Sequence, residues 1–245
     1  MKAIITILFV AALVVGCRSE SPSPASNQAT QAPNATTPDK TDRQDVRVVA
    51  EAPAPPQSSP WSGDIPVCKD SVLPGTSITR KGAPLNLEGT PVKVGDPLPD
   101  INLTDAANGK TVHTGALKGK VLLISVVPAV ETPVCSVQSH YLETAGDRLG
   151  DKIIRITVSR NSAAQLQDFA RTAVQSHVMY LSDREFNTFG TNTGLGVQGA
   201  DTLARSVMVV DRNGIIQYLQ VVPEITQLPD MNRAFQVARE LAVQE

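Results

Sequence analysis

The stretch Val121-Leu122-Leu123-Ile124-Ser125-Val126-Val127 constrains this chain more than any other. An unbroken, β-branched apolar run without alternation fits a strand buried on both faces, which requires a sheet with layers packed on each side. Pro128 ends the run, and a helical pattern follows over about 132–149, with Val134, Val137, Tyr141, Leu142, Ala145 and Leu149 on its apolar face. Strand patterns recur at 153–158, 178–181, 206–210 and 215–222. Helical patterns lie between or after them at 162–174, around Phe186 and Phe189, and at 231–243. Two hairpins are expected upstream. One spans 77–87 with Gly82 near its turn; the other joins 101–103 to 111–112 around Asn108-Gly109. Asn213-Gly214 joins the last two strands as an antiparallel pair. The order predicts an α/β domain with a central mixed sheet covered on both faces and an N-terminal β-hairpin.

That order is thioredoxin-like, and it occupies only part of the chain. Residues 18–62 are dominated by Ser, Pro, Ala, Thr and Gln, in runs such as Ser21-Pro22-Ser23-Pro24 and Pro53-Ala54-Pro55-Pro56. Such a segment lacks the apolar content to offset its ordering entropy and reads as an extended, disordered tether, with a weak strand signal at 46–49. Before it, Lys2 precedes an apolar run over 3–15, shorter than the roughly 18–20 residues of a membrane span. The run ends Leu13-Val14-Val15-Gly16-Cys17, which resembles the lipobox of bacterial lipoproteins. The resemblance implies a signal peptide over 1–16, cleavage before Cys17 and lipidation of its thiol. A plain secretory signal is the alternative. The expected organisation is signal peptide 1–16, lipidated tether 17–62 and folded domain 63–245, held by its lipid at the bacterial envelope and facing the periplasm or exterior. In Gram-negative lipoproteins a non-Asp residue after the cysteine, here Arg18, implies outer-membrane sorting, but the sequence does not give the cell type, so inner and outer membrane both stay open. The formal net charge is -2, so no basic footprint for nucleic acid exists. There is no CxxC, HExxH or glycine-rich phosphate loop, so neither a metal nor an organic cofactor is expected.

Chemistry concentrates in Val126-Val127-Pro128-Ala129-Val130-Glu131-Thr132-Pro133-Val134-Cys135, which sets a cysteine in the first turn of a helix behind a buried strand. The helix dipole and its free N–H donors favour a thiolate there. Here the chain resembles the peroxiredoxins, whose Pro-x-x-x-Thr-x-x-Cys signature is met by Pro128, Thr132 and Cys135. Within them it is most similar to the thiol peroxidase subfamily. Lys93-Val94-Gly95-Asp96, Leu181-Ser182-Asp183, Leu203-Ala204-Arg205 and Val222-Pro223-Glu224-Ile225-Thr226 extend the likeness. The resemblance implies that Cys135 attacks a peroxide and becomes a sulfenic acid. Thr132 would bond the thiolate and orient the peroxide, and Pro128 would shield the sulfur from water. Arg205 would supply a guanidinium to the sulfur and the leaving oxygen. The resemblance further implies a homodimer. Glu131 stands where the subfamily has Asp.

One departure matters. The subfamily's resolving cysteine, on the next helix, is here Ala170, so the usual intramolecular disulfide cannot form. Three outcomes follow. An external thiol or thioredoxin-like reductant reduces the sulfenic acid directly, or Cys68, next to an expected mobile arm over 69–75, acts as a relocated resolving cysteine. In the third, turnover is lost and the domain serves as a peroxide sensor or binding module. A thiol–disulfide oxidoreductase fits less well, because Thr132 occupies the first position of what would be its CxxC.

Overall fold

The computed structural model describes residues 65–144, 149–172 and 177–243. The signal and tether readings, Cys17 and the 46–49 strand signal lie outside the described residues. The described chain runs β1 (Ser77–Arg80), β2 (Ala83–Glu88), β3 (Asn102–Asp105), β4 (Thr111–His113), a short 3-10 turn (Thr114–Leu117), β5 (Val121–Val126), α1 (Pro133–Thr144), β6 (Ile153–Ser159), α2 (Ala163–Ala170), β7 (Val178–Ser182), α3 (Thr188–Thr193), β8 (Gly196–Val197), β9 (Ser206–Val210), β10 (Ile216–Val221) and α4 (Met231–Val243).

Seven strands form a mixed sheet in the order β10-β9-β5-β6-β7-β3-β4. β5, β6 and β7 are parallel, while β9, β10, β3 and β4 add antiparallel pairs at the two sides. β5 lies inside the sheet, between β9 and β6, with all six residues buried. Its side chains alternate between two cores, as the pleat requires. Val121 and Leu123 join the cluster of Tyr141 and Leu142 of α1, Leu166 of α2 and Phe235 of α4. Leu122, Ile124 and Val126 join the opposite cluster with Ile78, Phe189 and Leu195. The expected mixed sheet, covered on both faces, is the observed architecture.

The first hairpin forms through Lys81 and Gly82, both in the left-handed region (φ 52° and 80°), the backbone of a tight two-residue hairpin turn. The carboxylate of Glu224 caps that turn, accepting from Lys81 N (3.0 Å), Gly82 N (3.2 Å) and Thr79 Oγ1 (2.8 Å). Thr226 Oγ1 donates to it at 2.7 Å. Burial opposes ionisation, yet these donors win and hold the carboxyl down at about 2. A folded-state value below the ordinary 4.5 gives stability that is present above pH 4.5 and lost as pH falls toward 2. Glu224→Gln is expected to cost about 1–2 kcal/mol at pH 7, because the carboxylate is partly exposed and solvent screens it. Urea titrations of the two proteins should converge as pH drops through that window.

The segment expected as a mobile arm over 69–75 is tied down instead. Val67 bridges Leu228 and Val72 bridges Val221. Cys68 N donates to Leu228 O (2.8 Å), and Gln220 Nε2 donates to Cys68 O and Asp70 O (2.9 and 3.0 Å). Backbone groups of the β10 edge and the loop after it thus find partners in this segment, which blunts an otherwise open edge.

Candidate active site

Cys135 is the third residue of α1 and is fully buried, at 0% exposure. It belongs to the apolar cluster that also contains Val127, Val130 and Phe235. The loop from Pro128 to Thr132 carries the chain from the end of β5 into α1. Pro133 opens the helix, where a missing N–H costs nothing, and Ser136 N donates to Thr132 O at 2.9 Å.

Arg205 meets the sulfur from the other side of the site, one residue before β9. It is 2% exposed, and each of its three guanidinium nitrogens donates: Nη2 to Cys135 Sγ (3.2 Å), Nη1 to Gln138 Oε1 (2.7 Å) and Nε to Ile225 O (2.7 Å). None of these partners is a carboxylate. A buried cation needs a compensating anion, and the sulfur is the group within its reach that can become one.

Gln138 went unnoticed in the sequence, where it reads as one more polar residue on a helix. It is fully buried one turn after Cys135. Its Nε2 donates to Ser125 Oγ (2.8 Å), Ser206 O (3.2 Å) and Val126 O (3.4 Å), while its Oε1 accepts from Arg205. Gln138 therefore fixes the guanidinium against β5 and β9. Only its place on the buried side of the helix, in register with Cys135 and Leu142, could have flagged it.

The remaining sequence-predicted residues divide. Thr132 lies beside the site, but its hydroxyl donates to Ala129 O (3.1 Å) rather than to the sulfur; in this state it shapes the loop. Pro128 is half-buried, and its carbonyl accepts from Thr202 Oγ1 (2.8 Å). Ala170 ends α2, half-buried and packed against the same cluster as Cys135. Cys68 is a free, half-buried thiol whose Sγ donates weakly to Asp70 O (3.7 Å). Its neighbour Val67 lines a small cleft of about 40 Å³ with Val137, Gln138, Tyr141 and Met231. The Cys68 segment thus borders the same cleft as the helix of Cys135, and both cysteines are free thiols.

A thiol in contact with a guanidinium at the first turn of a helix, on a sheet of this order, is an arrangement suited to thiol-based redox chemistry. Comparison with known proteins places it. The family model described as Redoxin matches residues 93–235, and the chain belongs to that family. It is 34% identical over 165 residues to the thiol peroxidase of Bacillus subtilis (strain 168), covering 67% of this chain and 97% of that protein. It is 37% identical over 164 residues to the thiol peroxidase of Halalkalibacterium halodurans, covering 66% and 97%. Among solved structures it resembles a peroxiredoxin-like protein from Aquifex aeolicus (TM-score 0.61, 26% identity, 67% of this chain and 96% of that one). The thiol peroxidase from Chromobacterium violaceum shares the fold (TM-score 0.59, 13% identity, 67% and 96%). The chain is a peroxiredoxin-type oxidoreductase, and its function is of the peroxide-reducing kind.

Proposed function

We propose that this chain is a lipid-anchored, envelope-facing thiol peroxidase that reduces hydrogen peroxide or alkyl hydroperoxides through Cys135, with an external thiol completing the cycle. The 3.2 Å contact between Arg205 Nη2 and Cys135 Sγ carries the catalytic part of the reading. The Cys135 thiolate attacks the terminal peroxide oxygen. The S–O bond forms as the O–O bond breaks, and the departing oxygen takes a proton to leave as water or an alcohol. Sulfur is oxidised to the sulfenic acid and the peroxide is reduced. Arg205 stabilises charge on both sides of that transfer, and Gln138 keeps it aimed. Thr132 turns from Ala129 O toward the sulfur or the peroxide once a ligand arrives.

Resolution differs from the subfamily pattern because residue 170 is alanine. An external thiol attacks the sulfenic sulfur and expels water. A second thiol then releases Cys135 and a disulfide. Anchoring through Cys17 supports an extracytoplasmic reductant for this step.

Two measurements test the proposal. Full-length protein made in a bacterium should partition with membranes and carry a diacylglyceryl mass increment on Cys17. Cys17→Ala should release it, and an unmodified Cys17 would sink the anchoring. The soluble domain should consume hydrogen peroxide at the expense of dithiothreitol. A protein that binds its surroundings but shows no thiol-dependent consumption would instead be the non-catalytic sensor or binding module that Ala170 favours.

A further inference from the structure

Cys135 has no exposed surface. Hydrogen peroxide is little larger than water, but a reducing thiol on a peptide or cofactor is far bulkier. Such a thiol reaches the sulfenic sulfur only after the site opens, and the loop before α1 supplies Val130 to the cluster that encloses it. What holds that loop is therefore part of the cycle.

Two side chains from outside tie it down. Thr202 binds Pro128 O at 2.8 Å, and Asn161 binds the centre of the loop. Asn161 lies two residues past the end of β6 and is 9% exposed. Its Oδ1 accepts from Val130 N at 3.0 Å, and its Nδ2 donates to both carboxylate oxygens of Glu131, at 2.8 and 2.9 Å. Asn161 is itself immobilised. Ser159 Oγ donates to its Oδ1 (2.8 Å), and Ser182 Oγ donates to its carbonyl (2.7 Å), both serines being fully buried on neighbouring strands. Val130, which Asn161 fixes through its N–H, is fully buried in the cluster that encloses Cys135. Glu131 is exposed, so its carboxylate serves no packing purpose. Its described hydrogen bonds all go to Asn161.

Resting on the thiol-peroxidase reading, we propose that Asn161 and Glu131 form a latch that positions the catalytic loop and sets how often it opens to an external thiol. Opening breaks the charge-assisted bonds between them together with the Val130 N–H bond. The thiolate of the reductant then attacks the sulfenic sulfur, the S–S bond forms, the S–O bond breaks and the hydroxyl leaves as water after gaining a proton. Both are positioning residues, since neither touches the sulfur. A tighter latch slows resolution and leaves the sulfenic acid longer exposed to a second peroxide, which converts it to sulfinic acid.

The test needs no peroxide. Reduced protein is treated with iodoacetamide, and alkylation of the Cys135 peptide is followed by mass spectrometry. Glu131→Ala is expected to alkylate about tenfold faster than wild type, the factor for losing one charge-assisted hydrogen bond. Glu131→Gln keeps an acceptor for Asn161 Nδ2 and should stay within about twofold of wild type. Asn161→Asp keeps the acceptor for Val130 N but sets two carboxylates face to face, and should open at least as readily as Glu131→Ala. Wild-type alkylation in Glu131→Ala and Asn161→Asp would overturn the latch. So would equal acceleration in Glu131→Gln and Glu131→Ala. Under turnover with dithiothreitol, Glu131→Ala should also form less sulfinic acid at a given peroxide dose. A purely structural weakening would lower the melting temperature without shifting that partition. A wild-type protein that consumed no peroxide would defeat the functional reading, while the alkylation series would still decide the latch.

Discussion

Cys135→Ser is expected to abolish thiol-dependent peroxide consumption, by at least about a thousandfold, as is usual when a catalytic nucleophile is removed. The hydroxyl oxygen is a poor nucleophile near neutral pH and cannot cycle through a sulfenic acid. The fold should survive, because the substitution changes one buried atom and leaves Arg205 Nη2 an acceptor in nearly the same place. Circular dichroism and melting temperature check the fold, and a peroxide electrode or dye assay checks the activity. Full activity in the serine variant would mean that another group, Cys68 included, does the chemistry.

Removing the guanidinium should have the next largest effect. Arg205→Met is expected to lower the second-order rate constant of oxidation by about 10²–10³-fold, the usual scale for one preorganised charge donor in a water-poor site. Arg205→Lys should recover only part of that loss. Its single ammonium cannot serve Cys135 Sγ, Gln138 Oε1 and Ile225 O in the planar fork that the guanidinium uses. Stopped-flow mixing of reduced protein with peroxide gives the constants directly. Equal rates for Arg205→Met and wild type would reduce Arg205 to a structural residue joining β9 to the loop after β10.

The parts of the fold that follow local rules were legible in the sequence. The apolar run of β5 has no solvent-facing side, so it marks an interior strand of the sheet. The period of α4 gives its bounds, Met231–Val243, and places Phe235 and Ala238 inward. Gly82 marks the first hairpin because only a turn needs its positive φ there. The Asn108-Gly109 signal also marks a turn, although the connection between β3 and β4 is a longer loop capped by Asp105, which accepts from Ala107 N and Asn108 Nδ2. Pairings across long sequence separations left no such signal. Nothing periodic joins Val67 to Leu228 or Val72 to Val221, and β8 is only two residues long. The site divides the same way. Cys135 and Arg205 are marked by motifs, whereas Gln138, Asn161 and the Glu224 cap are polar residues whose partners lie on other elements. A polar side chain on a helix or loop carries no periodic clue that it will be buried.

One equivalent of hydrogen peroxide added to the reduced soluble domain, followed by dimedone trapping and peptide mass spectrometry, tests the central claim most directly. The account predicts a sulfenic acid on Cys135 within the mixing time, with Cys68 still a free thiol. A Cys135 that stays unmodified while peroxide is present would contradict it. A Cys68–Cys135 disulfide would keep the peroxidase and contradict the claim that an external thiol resolves it.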